Sequence, residues 1–311
     1  MQKLNIILPA HNEHNNISPI YKEIILALAS CKYPYEILFI DDGSTDDTLA
    51  QIKALSAEDS KVKYIELSRN FGHQNALKAG LDMCNADIII MMDCDLQHPP
   101  HLINELLRNY ELGYEIVRTH RVDGKSVGFI KSKTSSLFYN IISKFSEIKI
   151  EEGTADFRLM DKKVSTVFFA FSENELFIRG LVNWVGFKQY AIDYKPAERF
   201  SGNSKYTVKK MMQFALKGIT SFSIRPLYIS IFLGISLFFL SLLFYILYVF
   251  YSIYYGHVIS GWASVIFTIV IFGGLNLIVL GIIGVYVGKL FMHSKQRPNY
   301  LIRDTNLEDK K

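Results

Sequence analysis

The sequence predicts an α/β domain on a mixed, mainly parallel sheet, followed by an amphipathic interfacial segment and two transmembrane helices. Three observations carry that reading. Short apolar runs alternate with segments of helical periodicity through the first third of the chain. Acidic residues stand where the apolar runs end. From Leu227 to Gly288 the chain carries no Asp, Glu, Lys or Arg.

In chain order, "LNIILPA" (4–10) reads as a buried strand. Ile17, Ile20, Tyr21, Ile24, Ile25 and Leu28 then recur at helical spacing, with Ser18 and Pro19 as the expected N-cap and first helical position. "YEILFIDD" (35–42) is a second strand, and "GSTDDTLAQIKAL" turns into a helix with Ser44 and Asp47 at capping-box spacing. "VKYIEL" (62–67) is a third strand, "GHQNALKAGLDMC" a helix, and "ADIIIMMD" (86–93) a fourth strand. Continuous apolar strands alternating with helices imply a parallel sheet covered on both faces. Further on, "YEIVRTHR" reads as a strand and "VGFIKSKTSSLFYNIISKF" as a basic helix, whereas "GTADFRLMDKK" and "PAERFSGNSKY" read as loops joined to short elements.

The chain has 311 residues and a net charge of +4. That charge is too small, and too scattered, to make nucleic acid a partner. Three cysteines without metal-type spacing argue against a disulfide framework and fit a reducing compartment. "MQKLNIILPA" lacks the long apolar core of a signal peptide, so the first domain is expected in the cytoplasm.

Within residues 206–225, Val208, Met211, Met212, Ala215, Leu216, Ile219 and Phe222 share one helical face, with Lys209, Lys210, Gln213 and Lys217 opposite. Such a helix suits the headgroup region of a membrane. Residues 227–251 and 262–288 are each long and apolar enough to span a bilayer. Lys205, Lys209, Lys210, Lys217 and Arg225 precede the pair, Lys289, Lys295, Arg297 and Arg303 follow it, and the linker between has no Lys or Arg. The positive-inside rule then puts both ends in the cytoplasm. The expected organisation is a catalytic domain at 1–205, an interfacial helix at 206–225, a two-helix transmembrane domain at 226–288 and a cytoplasmic tail at 289–311, its end "RDTNLEDKK" disordered. Gly273, Gly274, Gly281, Gly284 and Gly288 permit close helix packing and so admit a homo-oligomer.

In parallel sheets, ligands bind outside the carboxyl ends of the strands. "PAHNE" (9–13), "DDGSTDDT" (41–48) and "MDCDLQHPP" (92–100) all fall there. Asp93, Asp95 and Gln97 offer hard oxygen ligands of the kind that hold a divalent cation, Mg²⁺ or Mn²⁺. His73, His101, His120 and His257 read as surface or loop residues, and Phe71 and Gly72 as shaping a loop beside the crevice.

With "DCDLQHPP", "GTADFRLMD" and "ERFSGNSKY" in that order, followed by two apolar spans, the chain resembles the polyprenyl-phosphate glycosyltransferases of glycosyltransferase family 2. The resemblance implies a GT-A fold, a nucleotide-sugar donor, a polyprenyl phosphate acceptor and a divalent metal. It implies that Pro9, His11, Glu13 and Asp41 line the nucleotide base pocket with Asp42 nearby. Asp93 and Asp95 hold the sugar nucleotide and metal, and Gln97 completes the metal site. Asp156 and Arg158 face the active site. Arg199, Ser204 and Lys205 meet phosphates near the membrane, and Arg121 and Lys131 grip the acceptor phosphate. The chain departs from the family pattern at His11, where tyrosine is common, and at His98, where an acid or asparagine is usual. The reaction expected is inverting transfer of a hexose, glucose from UDP-glucose first, to undecaprenyl phosphate at the cytoplasmic membrane face. UDP-N-acetylglucosamine and GDP-mannose are alternative donors. A processive polysaccharide synthase and a non-catalytic scaffold are the rival classes.

Overall fold

The fold is taken from a computed structural model, which describes residues 1–122, 154–171, 173, 178–195, 225–256 and 261–308. The expected helix within 127–145, the interfacial helix at 206–225 as far as residue 224, and Lys131, Arg199, Ser204, Lys205 and His257 lie outside the described residues. Two compact units emerge. One gathers the N-terminal α/β elements and the segment from Arg297 onward, and the other is the pair of long apolar helices.

In the first unit the elements run β1 (Leu4–Ala10), α1 (His14–Ala27), β2 (Tyr35–Asp41), α2 (Thr48–Glu58), β3 (Val62–Leu67), α3 (His73–Met83) and β4 (Ile88–Met91). A short 3₁₀ turn leads into α4 (Ile103–Glu111), followed by β5 (Ile116–Arg121), β6 (Thr154–Asp161), α5 (Lys162–Phe169), α6 (Ile178–Trp184) and β7 (Gln189–Tyr194). The C-terminal β8 spans Ile302–Thr305.

These strands form one sheet in the order β7-β5-β6-β4-β1-β2-β3-β8. Strands β4, β1, β2 and β3 are mutually parallel, as the alternation of strands and helices requires. Strand β6 runs antiparallel to both β4 and β5, and β8 antiparallel to β3, so the sheet is mixed. All seven residues of β1 are buried. One face of the sheet packs Leu4, Ile6, Leu8, Ile37, Phe39, Ile88, Ile90, Phe157 and Leu159 into a single core with Ile17, Ile20 and Ile24 of α1. On the other face α3 lies so close that a Cβ on Gly80 would come within 2.6 Å of Ile7 and 2.9 Å of Ile40.

Several local expectations are corrected. Helix α1 begins at His14, so Pro19 lies inside it rather than at its first position. The backbone N–H of Glu13 is held instead by the Thr48 hydroxyl at 2.8 Å. Helix α2 starts at Thr48 without a Ser44–Asp47 capping box. There the Asp46 carboxylate accepts from the Thr48 amide at 3.1 Å. "TADFRLMD" is an eight-residue strand in the middle of the sheet and not a loop. Ala155, Phe157 and Leu159 enter the core, while the charged residues of the alternation face the other side.

The tail expected to be disordered starts within a strand instead, Ile302–Thr305. Strand β8 covers the outer edge of β3, which would otherwise expose unpaired backbone groups. Asp304 pairs with Lys53 at 2.8 Å, Arg303 with the buried Glu66 at 3.3 Å, and Asn306 accepts from the Tyr64 amide at 2.7 Å. Tyr300 donates to Asp82 on α3 at 2.9 Å, and Asp82 also holds the buried Lys78.

The second unit consists of α7 (Arg225–Tyr255) and α8 (Trp262–Ser294). Ser230–Tyr255 and Thr268–Ser294 are long and apolar enough to cross a membrane, and most of their described side chains are exposed.

Candidate active site

The acids predicted for the crevice do stand at the carboxyl ends of neighbouring strands. Asp41 ends β2 and Asp42 follows it, both buried. The Asp42 carboxylate accepts from the Phe71 amide at 2.7 Å and the Gly72 amide at 2.9 Å. Burial pushes its pKa up and those two N–H groups pull it down, with burial winning. Gly72 reaches this position with φ +95°, open to glycine and unfavourable to other residues. Burial also raises the pKa of Asp41, whose Oδ2 accepts from the Ser44 amide at 3.1 Å. Its buried Oδ1 has no hydrogen-bond partner among the described residues. A buried carboxylate oxygen so placed can accept from a donor group that a ligand brings.

The loops after β1 and β2 are laced together beside these acids. The His11 ring nitrogen Nδ1 lies 2.9 Å from the Asp42 carbonyl. Asn12, at φ +57°, accepts from the Thr45 amide at 2.8 Å and takes the Ser44 hydroxyl on its own N–H at 3.0 Å. Pro9 is buried at the end of β1, opposite Ile40. Glu13 sits at the mouth of the same loop, next to α1.

After β4 the chain makes a tight turn through Asp93, Cys94, Asp95, Leu96 and Gln97. Asp95 Oδ1 accepts from the Gln97 amide at 3.1 Å, and Leu96 takes φ +59°. Cys94 is buried, while Asp93 and Asp95 on either side of it are partly exposed. His98 Nδ1 accepts from the Asp93 amide at 3.0 Å, and its ring stacks on Phe157 at 5.4 Å. The family departure at His98 is therefore a buried brace for the turn.

Strand β6 closes the crevice from the other side. Met91 pairs with Arg158, and continuing that register by two residues sets Asp93 opposite Asp156. His73, the first residue of α3, lies between them, its Nε2 at 3.4 Å from each carboxylate. Desolvation pulls the His73 pKa down, but Asp93 and Asp156 outweigh it and push the value up to about 9. Asp156 is buried and yet held well below the usual carboxylate range, because Arg179 and His73 overcome its desolvation. Burial lowers the Arg158 pKa to about 10 against the pull of Asp156.

Arg121 ends β5, exposed and opposite Tyr194. Burial pushes the Tyr194 phenol up to about 12, with Arg121 opposing and Asp93 and Asp95 adding to the rise. Of the expected site residues, the structure thus gathers Asp93 and Asp156 around His73, with Arg158 on Asp156, and His11, Asp41 and Asp42 around the first two loops.

Three neighbours of the site were given no role in it from the sequence: His73, His98 and Arg179. His73 was expected at the surface, and its ring is partly exposed, but it faces two acids of the crevice. Its signal was available, since it follows the third strand and the strand-end rule applies there too. His120 pairs with Asp193 at 2.8 Å, and His101 is exposed on the 3₁₀ turn.

A divalent cation has two candidate positions. Ligand atoms of His73, Asp93 and Asp156 come within 4.8 Å of one another. Both oxygens of Asp156 already accept from arginine, so a cation there would have to displace guanidinium groups. Asp93, Asp95 and Gln97 are partly exposed residues with oxygen donors of the kind a hard cation takes.

Comparison with known proteins agrees with this geometry. Residues 5–179 match Glycosyl transferase family 2. The uncharacterized glycosyltransferase YkcC of Bacillus subtilis is 38% identical over 308 residues, covering 99% of this chain and 95% of the relative. The bactoprenol glucosyl transferase of Shigella phage SfV is 36% identical over 302 residues, covering 97% and 98%. A prophage bactoprenol glucosyl transferase homolog of Escherichia coli K12 is 36% identical over 301 residues, covering 97% and 98%. A family match from β1 to α6, relatives aligned through both apolar helices, and acids gathered at the strand ends make this chain a glycosyltransferase, and it belongs to glycosyl transferase family 2.

Proposed function

We propose that the chain transfers a hexose, glucose from UDP-glucose, to undecaprenyl phosphate at the cytoplasmic face of a membrane, with inversion at the anomeric carbon. The observation that carries this is the end-to-end similarity to bactoprenol glucosyl transferases, 36% identical over 97% of the chain and so through both apolar helices. A relative that shared the α/β domain alone would not support a lipid acceptor.

The crevice supports the reaction class. Asp41 and Asp42 at the ends of β2, with His11 beside them, would receive the nucleoside. Asp93, Asp95 and Gln97 would hold Mg²⁺ or Mn²⁺, which when bound neutralises charge on the departing diphosphate. Asp156 and Arg158 would flank the transferred sugar, and Arg121 with Lys131 would take the acceptor phosphate. Arg199, Ser204 and Lys205 would meet phosphates from the segment before the membrane. A phosphate acceptor is already ionised near neutral pH, so the reaction needs no strong general base. In-line attack on an α-linked donor gives a β-linked lipid phosphate sugar.

The membrane reading has its own support. Strand β8 pairs with β3, so the segments before and after the two apolar helices belong to one folded body. Two crossings return the chain to the side it left, as the positive flanks also imply. The domain limits at 205, 225 and 288 and a homo-oligomer through the glycines of α8 are part of the same proposal.

The test is transfer from radiolabelled UDP-glucose, UDP-N-acetylglucosamine and GDP-mannose to undecaprenyl phosphate in detergent, with Mg²⁺, Mn²⁺ or EDTA. Metal-dependent labelling of the lipid from UDP-glucose is expected, and Asp95→Ala abolishes it. Labelling from another donor corrects the sugar. No labelling from any donor by folded protein sinks the reading.

A further inference from the structure

Tyr194 ends β7 with its ring in the core, and the residue is only 6% exposed. A tyrosine buried to that degree usually finds a hydrogen-bond partner for its hydroxyl. Among the described residues, none hydrogen-bonds to the Tyr194 hydroxyl. Nor is its oxygen one of the fully enclosed, unbonded side-chain atoms of the described structure. The ring is thus buried and its polar tip is open.

The ring is held from two sides. The Tyr194 carbonyl accepts from the Val122 amide at 2.9 Å, which ties the end of β7 to the end of β5. The His98 ring meets the Tyr194 ring edge-on, with 6.1 Å between centroids. His98 also accepts from the Asp93 amide at 3.0 Å, so one buried imidazole braces both the Asp93 turn and the phenol. Burial is the largest cause of the rise of the Tyr194 pKa to about 12, with Arg121 opposing and Asp93 and Asp95 adding to it. The phenol is therefore a protonated donor at neutral pH, within electrostatic reach of the crevice.

Position in the sheet says which substrate it meets. The loops after β1 and β2 carry His11, Asp41 and Asp42, and β7 is the far edge beyond β4, β6 and β5. At about 4.8 Å per strand, β7 stands roughly 19 Å from β1. A nucleophile attacking in line arrives opposite the leaving diphosphate, and so from the side away from the nucleoside. Arg121 is the register partner of Tyr194, which puts both side chains on one face at the strand ends.

The geometry points to Tyr194 as a binding residue for the acceptor, its hydroxyl donating to an oxygen of the lipid phosphate beside Arg121. A charged acceptor makes this a strong hydrogen bond, and a ring fixed beforehand loses little freedom on binding. The inference rests on the proposed reaction for its acceptor and adds to it a residue of β7.

The test compares full-length wild type with Tyr194→Phe in detergent. The substitution removes the hydroxyl and keeps the ring. KM is measured separately for the nucleotide sugar and for undecaprenyl phosphate, with thermal unfolding alongside. Direct binding is measured for undecaprenyl phosphate and for undecaprenol, the same lipid without its phosphate. Tyr194→Phe should raise the undecaprenyl phosphate KM and dissociation constant by about tenfold, the scale of one hydrogen bond to a charged group. Nucleotide-sugar KM, undecaprenol binding and thermal midpoint should match wild type, because the hydroxyl bonds nothing within the protein. Unchanged binding of undecaprenyl phosphate overturns the proposal. So does a loss confined to the nucleotide sugar, or a loss shared by undecaprenol together with a lower thermal midpoint, which would mark a structural hydroxyl. If wild type binds undecaprenyl phosphate without transferring sugar to it, the binding comparison alone decides the role of Tyr194. If wild type neither binds nor glycosylates that lipid, the reaction and the role fall together, whereas equal binding by both forms removes the role alone.

Discussion

Asp42 has both carboxylate oxygens turned to backbone amides of the loop that leads into α3. An amide side chain has one acceptor oxygen, so Asp42→Asn must set its NH₂ against an N–H donor. The expected cost is about 1–3 kcal/mol, read as a lower denaturation midpoint, together with weaker nucleotide binding. Asp46 makes a prediction about pH. Its pKa is lowered from 3.8 to about 2, because hydrogen bonds from Thr48 and His14 exceed the desolvation that would raise it. A depressed carboxylate contributes stability that is fully present above its unfolded pKa and lost as pH falls through its folded one. Wild type should therefore be more stable than Asp46→Asn at pH 5, and the gap should narrow below pH 3.8 and close near 2. A gap independent of pH across that window would remove Asp46 from the acid transition. At this scale the sequence was readable where strand ends carried acids, as with Asp41, Asp42 and Asp93. It was unreadable for Arg179, because nothing local to "FIRGL" shows that its partner is Asp156, 23 residues back on another element.

The same contrast governs the elements. Strands β1 to β4 were legible because each is mostly apolar with a buried central stretch, and the observed bounds differ from the expected ones by no more than two residues at either end. Strand β6 was misread because Asp156 and Arg158 occupy alternate positions and make the stretch look polar. The period of two was present, and it puts Ala155, Phe157 and Leu159 into the core. The loop between β2 and α2 depends on a glycine for a different reason. Gly43 has φ +65°, and a Cβ there would lie 2.5 Å from the backbone carbon of Arg69 and the backbone nitrogen of Asn70. Neither strain can relax by rotating a side chain. Gly43→Ala should cost more than about 1 kcal/mol from backbone conformation alone, and it should also push residues 69–72 away from Asp42. Thermal unfolding and nucleotide affinity should therefore fall together. Loss of stability with unchanged affinity would show that the 69–72 loop does not carry the Asp42 acceptor geometry.

For the whole molecule, the division into an α/β unit and an apolar-helix unit is not a division at one point in the chain. Composition alone separates the apolar helices from the rest, so the two long apolar helices were plain in the sequence. The return of the chain to the first unit was not, because "YLIRDTNL" is short and charged and its partners lie roughly 240 positions earlier. Removing everything after residue 225 would thus strip β8 from the sheet along with the helices and confuse two effects. A truncation after Gln296 separates them. It keeps both apolar helices but removes β8, Tyr300 and the Leu301 carbonyl that accepts from the Ser68 amide at 2.9 Å. The edge of β3 would then be bare, Glu66 would lose Arg303, and the loop starting at Ser68, which feeds two amides to Asp42, would lose its anchor. The expected result is protein that still fractionates with membranes but unfolds at a lower temperature, by more than about 3 kcal/mol in stability, with faster proteolysis near residues 62–72. A second truncation after Glu308 leaves every one of these contacts in place and should match wild type in both measurements. Equal stability of the Gln296 and Glu308 forms would mean that β8 only decorates the sheet. Loss of membrane association in the Gln296 form would mean that the two apolar helices do not anchor the chain on their own.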